Sequence, residues 1–125
     1  MKKIFALSLA LLVLIPGAPA FAHAQLTGAT PKANAVLTKS PTQIKLTFDD
    51  DLIALESSNK IEVTNTKGKR VDANNSSVLG NQLTVTLKKL VAGKYKVSYR
   101  VLSADGHPVA ATYNFTIGKQ LSSSK

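Results

Sequence analysis

The sequence predicts an all-β domain, a two-sheet sandwich or small barrel, behind an export leader. Three observations carry this. Apolar and polar residues alternate with period two after residue 40. Turn residues interrupt that alternation about every ten positions. The chain is also short, with 125 residues and 44% apolar content, enough for one small core and not for two.

Residues 1–22 read as the leader and are set aside before any fold reasoning. Lys2 and Lys3 give a positive start, and Ile4 to Ile15 form an apolar run of about 12 residues. A bilayer needs roughly 20, although a short membrane anchor is the other reading of such a run. Pro16 and Gly17 end it, and Ala20-Phe21-Ala22 places small residues where a signal peptidase cuts. No Cys follows, which excludes a lipid anchor at that point. Cleavage after Ala22 leaves a domain over residues 23–119 that begins at His23, and a Ser-rich, flexible tail over 120–125. The formal charge falls from +9 to +7 with the loss of Lys2 and Lys3. No second apolar span follows, so the processed protein is expected to lack an integral membrane segment and to be exported.

The strands follow in order. A weak one lies near Leu26. Gln43 to Phe48 puts Ile44, Leu46 and Phe48 on one face, and Lys60 to Thr64 does the same with Ile61 and Val63. Another weak strand surrounds Val78, ahead of Leu83 to Leu87. Tyr95 to Val101 is the longest, and Thr112 to Ile117 closes the set with Tyr113, Phe115 and Ile117 inward. That makes about seven strands. Thr66-Lys67-Gly68-Lys69, Leu79-Gly80-Asn81-Gln82 and Val91-Ala92-Gly93-Lys94 supply the turns, each with a Gly where positive φ is cheap. Asp51 to Ser57 is expected to form a short helical turn.

Composition removes several chemistries at once. There is no Cys and the single Met is Met1, so disulfides, thiolate metal sites, cysteine nucleophiles and thioether ligands are absent from the processed chain. No Ser–His–Asp triad is apparent. What remains is a pair of histidines. His23 would be the first residue after cleavage, with a free α-amine and a ring Nδ1 that together can chelate one ion in a six-membered ring. His107 sits in Ser103-Ala104-Asp105-Gly106-His107-Pro108, between two clear strands. If that segment is extended, the side chains of Asp105 and His107 point the same way. Three nitrogens and one carboxylate oxygen suit tetragonal Cu(II), with tetrahedral Zn(II) as the rival. The plainer alternatives are that Asp105-Gly106 is a hairpin bend and His107 an ordinary surface imidazole.

Four stretches, in this order and behind a leader, resemble one family: His23-Ala24-Gln25-Leu26, Ala29-Thr30-Pro31-Lys32-Ala33-Asn34, Ile44-Lys45-Leu46-Thr47-Phe48, and Tyr99 to Val109 with its Ser-x-Asp-x-His-Pro run. The chain resembles the copper-resistance protein C family of exported bacterial copper-binding proteins. The resemblance covers His23 to about Ile117. It implies an immunoglobulin-like β-sandwich with Greek-key connections and a Cu(II) site built from the His23 amine and imidazole, Asp105 and His107. It also implies an acidic residue after the early strand that accepts a ring N–H of a ligating His. Asp49, Asp50 and Asp51 all fall there, and Asp50 aligns best; a solvated loop or a weak Ca(II) site is the alternative for this trio. Some relatives bind Cu(I) in a methionine-rich loop. The matching segment, Thr64 to Leu79, contains no Met, which argues for Cu(II) alone.

The positive charge reads as solvated outward strand faces at Lys45, Lys94, Lys96 and Arg100, with nonspecific attraction to anionic surfaces as the alternative. No basic helix, aromatic platform or nucleic-acid motif is present. The expected function is therefore sequestration or delivery of Cu(II) by a non-enzymatic protein, a monomer in the periplasm or outside the cell. The resemblance implies a membrane copper transporter as partner. A copper-dependent oxidase using the same amine-plus-imidazole chelate and a metal-free immunoglobulin-like interaction module binding through its sheet edge are the alternatives.

Overall fold

The computed structural model describes residues 23–119; the leader expected over 1–22 and the tail expected over 120–125 lie outside the described residues. Eight strands occur in the order β1 (Leu26–Thr30), β2 (Val36–Leu37), β3 (Gln43–Phe48), β4 (Lys60–Thr64), β5 (Ser77–Leu79), β6 (Gln82–Thr86), β7 (Gly93–Leu102) and β8 (Pro108–Ile117). They form two four-stranded sheets, β1-β3-β6-β5 and β2-β8-β7-β4. The chain changes sheet between β1 and β2, β2 and β3, β3 and β4, β4 and β5, and β6 and β7. Of the sandwich and the small barrel that the alternation allowed, this is the sandwich, with one strand more than expected. The extra strand is β2, two residues paired parallel to the end of β8, too short to leave any periodic trace. No helix occurs among the described residues. The segment expected to make a helical turn instead carries an isolated bridge at Leu52, and a turn in which the Ser58 amide bonds the Leu55 carbonyl.

The alternation becomes the core directly. Ile44, Leu46 and Phe48 of β3, with Leu83 and Val85 of β6, line the inner face of one sheet. Ile61 and Val63 of β4, Tyr95, Val97, Tyr99 and Val101 of β7, and Phe115 and Ile117 of β8 line the other. Cross-strand partners are matched in register, Ile44 with Val85, Leu46 with Leu83 and Val63 with Val97. Phe48 and Tyr99 meet across the sandwich edge to face, 5.7 Å between centroids, and Tyr95 stacks on Phe115 at 5.5 Å. Burying each such side chain contributes about 1.5–3 kcal/mol, which is how a domain without disulfides stays folded.

One buried charge organises the long connection between β4 and β5. The Asp72 side chain is fully buried. It accepts hydrogen bonds from the Val63 amide at 2.7 Å, the Asn74 amide at 2.8 Å and the Arg70 guanidinium at 2.9 Å. Burial alone would raise its pKa, but the Arg70 guanidinium and the two amides outweigh it and hold the carboxyl below the usual range. A depressed folded pKa contributes stability that is present above the unfolded value and lost as pH falls through the folded one. Asp72→Asn is therefore expected to cost about 2–4 kcal/mol at neutral pH, and its difference from the parent should shrink as the solution is acidified through the carboxylate range. Denaturant titrations of both proteins across that range check this; a pH-independent difference would contradict it.

Candidate metal centre

Both expected histidines lie at one end of the sandwich, where β1 begins and β7 turns into β8. Three interactions fix the segment ahead of β1. The Ala24 methyl is buried in the core. The Ala24 amide donates to Ser103 Oγ at 2.9 Å. Gln25 is held to Asp49 on both sides: its amide donates to Asp49 Oδ1 at 2.8 Å, and its carbonyl accepts the Asp49 amide at 2.9 Å.

The β7–β8 connection is a tight turn, not the extended run on which the expected co-alignment of Asp105 and His107 rested. The Ser103 amide donates to the His107 carbonyl at 2.9 Å, and the Ser103 carbonyl accepts the Gly106 amide at 2.8 Å. Gly106 sits at φ 87°, a conformation that side-chain-bearing residues rarely adopt. Asp105 Oδ1 accepts the His107 amide at 3.0 Å, an Asx turn. The two side chains still converge, for a different physical reason: the bend brings them together where strand periodicity was expected to.

Asp105 is the centre of the cluster. Its Oδ2 lies 3.1 Å from His107 Nδ1 and 3.4 Å from His23 Nε2. The two rings are edge to face, 5.3 Å between centroids. Side-chain exposures of 67% for His107, 39% for His23 and 22% for Asp105 leave the group open to an ion arriving from solvent. The His107 ring N–H beside it, with the His107 amide and the nearby His23 ring, holds the Asp105 carboxyl below its usual pKa, so it is anionic over the neutral range. One donor atom from each residue lies within 4.8 Å of the others. Metal–nitrogen and metal–oxygen bonds of about 2.0–2.2 Å place donors around one ion at up to about 4.3 Å, so the cluster is of a size that one divalent ion closes with small movements.

His23 presents Nε2 to the carboxylate, whereas a chelate with its own amine uses Nδ1. With Ala22 attached, the His23 nitrogen is an amide, so that chelate is not displayed. Of the acidic trio, Asp50 turns back on its own loop, its Oδ1 accepting the Asp51 amide at 2.8 Å, as short polar side chains in loops commonly do. Asp49 is the member that reaches the N-terminal segment. Among the described residues, none of the three belongs to the cluster of His23, Asp105 and His107.

Two supporting residues, Ser103 and Asn59, escaped the sequence reading, and a third, Asp49, was named only as one of three adjacent candidates. Ser103 is fully buried. It follows Tyr95, Val97, Tyr99 and Val101 in the inward phase of β7, and a polar residue in that phase was the available signal. Asp49 carried no signal that separated it from its neighbours. Buried Asn59 braces the end of β7, accepting the Leu102 amide at 2.8 Å and donating to the Ile53 carbonyl at 2.8 Å, pairings that only the fold creates.

Comparison with known proteins adds the following. A family model described as the CopC domain matches residues 26–118. The copper transport protein CutJ of Bacillus subtilis (strain 168) is 35% identical over 112 residues, 86% of this chain; the chain spans only 20% of CutJ. Copper resistance protein C of Escherichia coli is 30% identical over 106 residues, covering 78% of this chain and 83% of that protein. The crystal structure of CopC from Methylosinus trichosporium OB3b superposes with a TM-score of 0.72 at 30% identity, over 82% of this chain and 100% of that one.

Ser103→Ala would leave the buried Ala24 amide without its acceptor, at a cost of about 1–3 kcal/mol. Amide hydrogen exchange at Ala24 should accelerate more than at the core amides of β3, and unchanged Ala24 protection would contradict the role given to the hydroxyl.

Proposed function

The chain belongs to the CopC family, and from that premise we propose that it is an exported, non-enzymatic protein that binds one Cu(II) through His23, Asp105 and His107 and stores it or passes it on. The observation that carries this reading is the Asp105 carboxylate lying against both imidazoles of the chain. Removal of residues 1–22 would free the His23 amine and let the ring turn Nδ1 toward the ion, completing a set of three nitrogens and one oxygen. Such a set favours Cu(II) among divalent ions. Asp49 supports the site in a different way from the ring N–H acceptor expected at Asp50, by holding Gln25 and hence the chain on which His23 sits. The missing thioethers between Thr64 and Leu79 support a Cu(II) site alone. Delivery to a membrane copper transporter in the periplasm or at the cell exterior is the partner reading that fits the family.

Titration of the processed protein with Cu(II), followed by electron paramagnetic resonance, should give a single tetragonal signal with nitrogen coupling at one ion per chain. His107→Ala should weaken binding by at least roughly tenfold, the size of effect that loss of groups around a metal typically produces. One extra residue ahead of His23 should weaken it as severely, because the amine becomes an amide. Absence of tight binding by the processed parent protein would end the proposal.

Acid should compete with the metal. The ligands bind in their deprotonated forms, so affinity should fall progressively between about pH 8 and pH 5. Competition titrations at fixed ionic strength measure this, and a flat profile would contradict the ligand assignment.

A further inference from the structure

Charge in this sandwich is segregated end to end. Five of the seven acidic residues, Asp49, Asp50, Asp51, Glu56 and Asp105, lie on loops at the end that carries the imidazoles. The opposite end is made by segments 38–42, 65–70, 87–92 and 118–119, together with the first residues of β7. It exposes Lys39, Lys67, Lys69, Lys88, Lys89, Lys94 and Lys119, and these segments contain no Asp or Glu. The one arginine there, Arg70, is already paired with buried Asp72. These lysines sit on loops for the most part, so the reading of the charge as outward strand faces covers only Lys94 among them.

The loops form one surface. The Leu87 amide bonds the Thr42 carbonyl at 2.9 Å, the Lys88 amide bonds the Val71 carbonyl at 3.0 Å, and the Leu90 amide bonds Ser40 Oγ at 2.8 Å. Val91 stands at its middle with 75% of its surface exposed. Shallow hollows flank it, one shared with Lys89 and Ser40, the other with Lys67 and Lys94. An exposed apolar residue ringed by lysines, whose long stems can lie along apolar surface while their ammonium groups stay wet, matches a plane of anionic head groups over acyl chains. The contributing loops come from both sheets, so the charge covers an end of the domain; a single-stranded nucleic acid would need exposed stacking rings, and among the described residues this end presents none.

We propose that this lysine-rich pole docks the processed protein on an anionic lipid surface, with the histidine end turned away from it. The acidic residues at the far end are repelled by the same surface, which fixes the orientation. Each lysine near an anionic leaflet changes partitioning by roughly fivefold, so the seven here are ample for salt-sensitive, reversible attachment.

The test is co-sedimentation of the processed, metal-free protein with vesicles of equal parts phosphatidylglycerol and phosphatidylcholine, against phosphatidylcholine alone. Binding to the mixed vesicles at low ionic strength, weakening as salt is raised, and none to the neutral ones, is expected. Lys88→Glu with Lys89→Glu should lower partitioning at least roughly 20-fold, as should Lys67→Glu with Lys69→Glu on a separate loop. Lys60→Glu with Lys96→Glu, the same charge change on the outer face of β4 and β7, should lower it much less. Circular dichroism confirms that each variant is folded. No binding to the anionic vesicles at low salt, equal losses from all three pairs, or tighter capture by single-stranded DNA than by vesicles would overturn the proposal. Copper enters none of these measurements, so their outcome is independent of the metal reading.

Discussion

The hydrogen bond from the Ala24 amide to Ser103 Oγ is the constraint on which the arrangement of the histidine end depends. It joins positions 79 residues apart, and it lies in the core, where no water can substitute for either partner. Ser103 is also the residue whose own amide and carbonyl close the turn carrying Asp105 and His107. One residue thus anchors the start of the domain through its side chain and the β7–β8 turn through its backbone. The separation between His23 and the other two side chains follows from that, with Asp49 holding Gln25 as a second tie.

The ties matter because the cluster itself is exposed and small. A carboxylate flanked by two imidazoles in solvent has little packing to hold it, and surface electrostatics alone are worth little. Order has to come from the layer beneath: the Asx turn at Asp105, the glycine at φ 87°, and the buried hydroxyl. The Asp105 carboxyl, kept anionic by its neighbours, is already in the form in which it would accept a cation. A net cationic protein can therefore present an anionic end to a metal, since screening beyond about 10 Å makes the local carboxylates count for more than the distant lysines.

The strands were legible because each long one has an inner face that must be apolar and an outer face that must not. Ile44, Leu46 and Phe48, and the run from Tyr95 to Val101, are buried just as their alternation implies. Strand β2 was not legible, since two residues carry no period and its pairing depends on where β8 ends. The residues of the cluster could be picked out because a chain with two histidines offers few choices, and a carboxylate two positions from one of them is conspicuous. The geometry behind that choice was misjudged at one point: Asp105 and His107 meet through a bend stabilised by an Asx turn, which local sequence allows as readily as an extended run.

The sequence by itself determined the all-β class and the inward residues, and it singled out His23, Asp105 and His107 as candidates, because these depend on residue type and on spacing along the chain. Only the tertiary structure decided which acid of Asp49, Asp50 and Asp51 touches the N-terminal segment, that Ser103 is its anchor, and that the loop lysines gather at the pole opposite the acids. Those outcomes depend on contacts between segments that are remote in sequence. Three adjacent aspartates are chemically equivalent until a fold brings a particular amide within 2.8 Å of one of them.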